Sequence, residues 1–254
     1  MARGMGGTVP IRRTIAGMAP AGPSSTDTEP LPTGDDKREA VRSMFDAIAP
    51  RYDLVNRLMT FRMDVGWRKK AIASLGLPRG SVVLDLACGT GDLCRGLAGA
   101  GLQPIGMDLS FGMLAAARTD APLVHADALA LPVPDASVDG ITCGFALRNF
   151  VELGPFFAEL GRVVRPGGRI SLLEVAEPPN PVLRWGHGIY FGKVVPKIGG
   201  LLSDGSAYRY LPKSVAYLPE PDAMLADLAS RGFEAVDRRL LSTGIAQLIT
   251  ATRA

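Results

Sequence analysis

The sequence predicts a doubly wound α/β fold, a largely parallel seven-stranded sheet with helices on both faces, and three observations predict it. From Ser81 onward, short apolar runs alternate with amphipathic, helix-length segments. The first run, Ser81-Val82-Val83-Leu84-Asp85-Leu86-Ala87, passes into a glycine-rich turn that opens a helix. Carboxylates stand at or near the ends of the first three predicted strands, at Asp85, Asp108 and Asp127.

Taken in order, residues 1–36 are rich in proline, glycine and serine and carry hardly any aliphatic periodicity. That composition cannot bury a core, and a disordered tail is expected. Arg3, Arg12 and Arg13 precede any acid, which also suits a targeting segment, although no amphipathic Arg-rich face supports one; a start codon placed too early would give the same pattern. A single domain is expected over residues 37–254. From Lys37, the spacing of Val41, Met44, Phe45 and Ile48 predicts a helix that Pro50 stops. Helices over 54–59 and 65–75 complete an N-terminal helical flap.

Beyond the first strand, the pattern predicts helix 91–100, strand 103–108, helix 111–118, strand 123–126, strand 138–143, helix 153–164 and strand 169–175. Regularity lapses over 178–218, a proline- and tyrosine-rich stretch expected to be a lid insertion. Helix 222–230 and strands 233–240 and 244–251 finish the chain, the last two pairing as an antiparallel hairpin at the sheet edge.

With 254 residues, 47% of them hydrophobic, the chain has ample core material for one large domain. The +3 net charge, from 28 Lys and Arg against 25 Asp and Glu, is far from the dense basic stripe of a nucleic-acid binder. Three cysteines are too few for a disulfide framework, no Cys/His spacing resembles a metal site, and no apolar run is long enough to span a bilayer. Cys88, Cys94 and Cys143 are expected to be packing residues of a cytoplasmic protein.

In a doubly wound sheet, ligands bind outside the carboxyl ends of the strands. Here the first such turn is Asp85-Leu86-Ala87-Cys88-Gly89-Thr90-Gly91-Asp92. Gly89 and Gly91 let the backbone approach a ligand closely, and Thr90 lies between them. A dinucleotide site would want a third glycine where Cys94 stands, so a dehydrogenase fits poorly; Asp85 and Asp92 suit a cationic or zwitterionic ligand better. Asp108 can accept both hydroxyls of a ribose. Asp127 can accept from the exocyclic amine of an adenine, with the amide of Ala128 beside it.

These segments resemble the class I methyltransferases that use S-adenosylmethionine, a Rossmann-like fold. More closely, the chain resembles the quinone-biosynthesis C-methyltransferases. The segments carrying this are Arg51-Tyr52-Asp53-Leu54-Val55-Asn56, Phe145-Ala146-Leu147-Arg148-Asn149, Arg165-Pro166-Gly167-Gly168 and Tyr208-Arg209-Tyr210-Leu211-Pro212. The resemblance implies C-methylation of demethylmenaquinol, or of a ubiquinone precursor or another phenolic acceptor, with S-adenosylmethionine as donor and no metal. It places Asp85, Gly89, Thr90, Gly91, Asp108, Asp127, Ala128 and Gly144 at the donor. Arg148 would stabilise the phenolate of the acceptor, with Asn149 and Tyr52 as orienting hydrogen-bond groups.

A polyprenyl quinol implies peripheral contact with a membrane through the lid, where Leu183, Trp185 and Tyr190 alternate with Arg184, Lys193 and Arg209. A homodimer is compatible with the resemblance, and a non-catalytic donor-binding scaffold is the alternative of a different class. His125 and His187 are expected to be structural. The chain departs from the family pattern at Gly144, where serine is common, and in its C-terminal tail, which lacks the usual aromatic and basic residues. A nucleic-acid methyltransferase would place an Asp/Asn-Pro-Pro-aromatic segment where Cys143-Gly144-Phe145-Ala146 stands.

Overall fold

The computed structural model describes residues 33–190 and 214–254. Most of the predicted tail, and the centre of the predicted lid with Lys193, Lys197 and Arg209, lie outside the described residues. The helical flap is α1 (Gly34–Ile48), α2 (Tyr52–Met59) and α3 (Met63–Leu75). Helix α1 starts three residues before Lys37, so the last residues of the expected tail are helical; Asp35 and Asp36 complement the positive end of the helix. Pro50 lies in a short turn between α1 and α2, as its missing N–H requires.

The body follows as β1 (Val82–Leu86), α4 (Asp92–Gly99), β2 (Gln103–Asp108), α5 (Phe111–Ala115), β3 (Leu123–His125) and β4 (Val138–Gly144). It continues with α6 (Leu153–Val163), β5 (Val164–Val175), α7 (Pro181–Ile189), α8 (Pro221–Ser230), β6 (Phe233–Leu241) and β7 (Ala246–Arg253). The sheet order is β3-β2-β1-β4-β5-β7-β6. The first five strands pair in parallel, and β7 runs antiparallel to both β5 and β6. The predicted hairpin is present, but β7 is inserted beside β5, leaving β6 alone at the edge.

Alternation along the strands divides the core. Leu84, Ile141, Leu172 and Ile249 pack under α6 and α8 with Phe156, Phe157 and Leu228. On the opposite face, Leu173 and Leu248 pack against Trp67 and Ala71 of α3, and Val83 against Leu75 and Leu97. Such two-sided burial explains why β1 reads as a continuous apolar run.

Three boundaries differ from the sequence pattern. Helix α5 ends at Ala115 because the chain turns to bring the Arg118 amide onto the Thr90 carbonyl (3.1 Å), which ties it to the glycine loop. Strand β5 begins at Val164, since the Pro-Gly-Gly turn forms an irregularity within it and pairing with β4 jumps from Val164 to Arg169. The region expected to be irregular after Glu177 contains α7, capped by Asn180, whose Oδ1 accepts from the Val182 and Leu183 amides.

Helix α1 docks on α5 through Asp46, whose Oδ1 accepts from the Ser110 hydroxyl (2.6 Å) and the Gly112 amide (2.9 Å). A Cβ at Gly112 would lie 2.9 Å from the Asp46 Cα, a backbone atom that cannot swing aside. Gly112→Ala should therefore lose about 1–3 kcal/mol to overpacking, against a gain of at most about 1 kcal/mol in helix propensity. Urea unfolding should show net destabilisation; a more stable variant would mean that α1 does not press on Gly112.

Candidate active site

Two cavities open at the carboxyl edge of the sheet. The first is lined from α1 by Arg38, Val41 and Phe45 and from the strand ends by Gly89, Asp108, Asp127, Ala128 and Gly144; Tyr52, Phe145 and Asn149 complete it. Asp108 ends β2 as expected. Its Oδ2 accepts from the Gly89 amide and its Oδ1 from the Ser110 amide, both at 2.8 Å. Burial raises the Asp108 carboxyl above the ordinary value, and these two amides oppose the rise. Each oxygen keeps a second lone pair for a ligand hydroxyl.

Asp127 uses Oδ1 to accept from the Leu129 amide (3.0 Å), while Oδ2 pairs with Arg38 at 2.5 Å. The Arg38 side chain is 47% exposed, so this pair is worth at most about 1 kcal/mol and yields readily to a ligand amine. Asn149 Oδ1 is buried on this wall without a hydrogen-bond partner among the described residues. A buried, unpaired acceptor costs about 1–3 kcal/mol, and a ligand carrying donors would remove that cost. Asp108, Asp127 and Asn149 together fit S-adenosylmethionine, with its ribose hydroxyls and its exocyclic and α-amines.

Three expected donor residues do not reach this wall. Asp85 is wholly buried in β1, where it accepts from Thr142 Oγ1 (2.9 Å) and Cys94 Sγ (3.4 Å). Thr90 turns its hydroxyl to Asp53 Oδ1 at 2.5 Å, which ties the glycine loop to α2. At Gly91 a Cβ would lie 2.7 Å from Thr119 Cγ2, and with φ near 82° the glycine serves the turn. The sequence placed all three beside the ligand because loop spacing does not distinguish residues that shape a loop from residues that face out of it. At Gly144, a Cβ would lie 2.9 Å from Leu93 Cδ1, so this leucine fills the room a serine would need.

The second cavity, about 510 Å³, is mostly apolar. Met59, Trp67, Phe145, Leu183 and Ile245 line it, together with Tyr52, Arg148, Glu177 and His187. Tyr52 and Phe145 line both cavities and so form their common wall. Tyr52 is partly buried on this wall, and desolvation raises its phenol above the ordinary value and keeps it a hydrogen-bond donor at neutral pH. Arg148 is 6% exposed, well away from a surface ion pair. Burial lowers the His187 imidazole, against the opposing charge of Glu177, whereas His125 stands on neither cavity and contacts the Leu109 carbonyl.

Sequence reasoning missed three residues that shape this region. Phe145 has φ near +61°, a strained conformation for a residue with a Cβ, and nothing local in the sequence announces it. Glu174, wholly buried, pairs with Arg148; an acid inside the apolar run Ser171-Leu172-Leu173-Glu174-Val175 was the available signal. Lys37, 2% exposed, ties α1 to the cavity-lining Phe150 by donating to its carbonyl (2.6 Å), and burial lowers its ammonium to about 8.

The model of the ubiE/COQ5 methyltransferase family matches residues 33–253. The chain is 42% identical to the demethylmenaquinone methyltransferase of Thermus thermophilus over 221 residues, 83% of this chain and 100% of the relative. It is 39% identical to the ubiquinone/menaquinone biosynthesis C-methyltransferase UbiE of Syntrophotalea carbinolica, across 84% of this chain and 93% of that one. Among solved structures, a SAM-dependent methyltransferase from Thermotoga maritima superposes with a TM-score of 0.60 at 16% identity, covering 84% of this chain and 99% of the other. A Haemonchus contortus phosphoethanolamine methyltransferase bound to S-adenosylhomocysteine gives 0.54 at 17% identity, with 73% and 52% coverage. At these identities the superpositions speak for the fold alone.

Burial, opposed by the Thr142 and Cys94 hydrogen bonds, lifts the Asp85 carboxyl to about 7 from an ordinary value near 4. Between those values the folded chain holds a proton that the unfolded chain has released, so stability falls as pH rises through the window. Above it the loss is at most about 4 kcal/mol. The melting temperature of the wild type should fall from pH 5 to pH 8 more steeply than that of Asp85→Asn, which carries no charge at either pH; parallel profiles would show that the carboxyl ionises normally.

Proposed function

We propose, on the premise that this chain belongs to the ubiE/COQ5 methyltransferase family, that it methylates a ring carbon of demethylmenaquinol to give menaquinol. The donor is S-adenosylmethionine, and the reaction belongs to quinone biosynthesis. The observation that carries the reading is the pair of cavities sharing Tyr52 and Phe145: one with Asp108, Asp127 and Asn149 on its wall, suited to the donor, and a second, apolar and large enough for a bicyclic ring, suited to the acceptor.

When bound, S-adenosylmethionine supplies an electrophilic methyl group on a sulfonium. The chain's own residues do the rest. Asp108, Asp127, Ala128 and Asn149 hold the donor, and Tyr52 and Phe145 keep the two reactants in line while the apolar walls exclude water. A hydroquinol carbon becomes nucleophilic as its ring hydroxyl loses a proton. Arg148 faces the resulting oxyanion as a permanent cation, an interaction worth about 3–4 kcal/mol in a dry site. A guanidinium stays protonated in proteins and has no acceptor to offer, so Arg148 acts by stabilising charge.

A ubiquinone precursor is the second reading, because relatives carrying both pathway names match the chain about equally well. With chemically reduced polyprenyl naphthoquinol and benzoquinol supplied separately, mass spectrometry should find one added methyl on the naphthoquinol. Preference for the benzoquinol would move the enzyme to the ubiquinone branch, and donor binding without turnover on either would favour a scaffold. Arg148→Ala should lower kcat about 100- to 1,000-fold while the KM for S-adenosylmethionine changes little. An unchanged kcat would remove Arg148 from the reaction.

The membrane contact extends this reading. No helix among the described residues is long and apolar enough to cross a membrane. Phe61 and Val182 line the acceptor cavity and are exposed, however, as are Leu54 and Leu58 on α2 and Trp185 on α7, Trp185 by 71%. Phe61 and Tyr190, with rings 5.6 Å apart, join the two groups. We read this apolar rim as the surface that meets the bilayer holding the polyprenyl tail. A Leu58→Ser/Trp185→Ser double variant should sediment less with anionic vesicles and keep its turnover on a short-tailed quinol. Undiminished sedimentation would place the contact elsewhere.

A further inference from the structure

We infer that Glu174 is a positioning residue for methyl transfer, clamping the Arg148 guanidinium together with Ser214 so that one amino group is aimed into the acceptor cavity. The inference rests on the reading of Arg148 given above. Arg148 stands in a single turn, Leu147–Asn149, just past β4, and its long side chain has no helix or strand of its own to hold it. Neighbouring groups fix it instead. The Nη1 group donates to Glu174 Oε1 and to the Phe145 carbonyl (2.8 Å), and Nε donates to Ser214 Oγ (3.1 Å). The Arg148 backbone amide donates to Glu174 Oε2 at 3.1 Å, so one carboxylate holds both the turn and the guanidinium. Nη2 alone among the guanidinium nitrogens makes no hydrogen bond to the described residues, and Arg148 lines the acceptor cavity.

Glu174 itself does not line that cavity. It is wholly buried, its Oε1 also accepting from the Val175 amide (2.7 Å), and Ser214 is wholly buried as well. Neither can touch an acceptor, so any part they take in the reaction passes through Arg148. Stability alone is a weak reason to keep the pair, because a buried ion pair is often no better than apolar residues of the same volume. The geometry supplies a stronger one. An oxyanion is stabilised only by a donor already aimed at it, and an arginine free to rotate loses most of that advantage.

The test is a double-mutant cycle read in kcat, with Glu174→Gln as an isosteric change and Ser214→Ala as a milder one that leaves the ion pair intact. Glu174→Gln should lower kcat about 10- to 100-fold, and Ser214→Ala by a smaller factor. Both should leave the KM for S-adenosylmethionine and the thermal shift it causes unchanged. In an Arg148→Ala background, neither change should lower kcat further. Additive losses there, or a kcat within about twofold of wild type for both single variants, would overturn the positioning role. Full activity in Arg148→Ala alone would overturn the reading of Arg148 and this inference with it, whereas a loss there combined with additivity would overturn the inference only. Should Glu174→Gln fail to fold, the Ser214→Ala arm of the cycle decides.

Discussion

The functional architecture depends on one constraint: β1 has a parallel neighbour on each side, β2 and β4. Right-handed crossovers to neighbours on opposite sides must pass over opposite faces of the sheet, and they leave a crevice at the carboxyl ends where they part. The glycine turn after β1, Asp108 at the end of β2 and Gly144-Phe145 at the end of β4 all open there. No side chain needs to be carried far to make a site. The donor cavity is a property of the strand order before it is a property of any residue.

A crevice of this kind buries carboxylates, and the protein handles those of β1, β2 and β5 in three ways. Asp108 is held by two backbone amides and remains on the cavity wall. Glu174 is neutralised by an arginine. Asp85 has only a hydroxyl and a thiol as side-chain partners, so burial wins and its carboxyl rises to about 7. An isolated carboxylate in a dry interior is far more costly than either alternative, which is why the group with the weakest partners gives up its charge most readily. The difference between a ligand group and a structural one is set here by what each carboxylate faces, and the residue type is the same.

That distinction was only half legible in the sequence. Element order, the parallel sheet and most boundaries follow from periodicity and glycine placement, because both faces of the sheet are buried and the apolar runs are correspondingly clear. Asp108 and Asp127 stand on the cavity wall as their places at or after strand ends led one to expect, whereas Asn149 was expected as an orienting group beside Arg148 only through the family resemblance. Asp85, Thr90 and Gly91 were placed one layer too close to the ligand, since a motif records that a loop is shaped for a ligand without saying which of its members do the shaping. Helix α7 was hidden by the glycines and prolines around it, and its Asn180 cap was the overlooked cue. The acceptor cavity was the least legible, because α2, α3, β5 and the segment between β6 and β7 each contribute only one or a few side chains to it and no local pattern joins them.

The way α1 closes the donor cavity follows from its chemistry. Among its residues only Lys37 and Ile48 are buried; Ile48, Met44 and Phe45 join a small apolar cluster with Met113 of α5, and the other ties to the body are polar: Lys37 to the Phe150 carbonyl, Arg38 to Asp127, and Asp46 to Ser110 and Gly112. Hydrogen bonds exchange for water at a net cost of about 0.5–1.5 kcal/mol each, whereas separating a face of buried leucines and phenylalanines such as α6 presents would cost about 1.5–3 kcal/mol per side chain. Helix α6, with Phe156, Phe157 and Leu160 wholly buried, is fixed to the sheet by the second kind of contact. Helix α1 combines several contacts of the first kind with a smaller apolar cluster, and one of its links, Arg38 to Asp127, engages the carboxylate suited to the adenine amine. Displacing α1 would therefore break a few polar links and one small apolar cluster, and the apolar core beneath the sheet would be untouched.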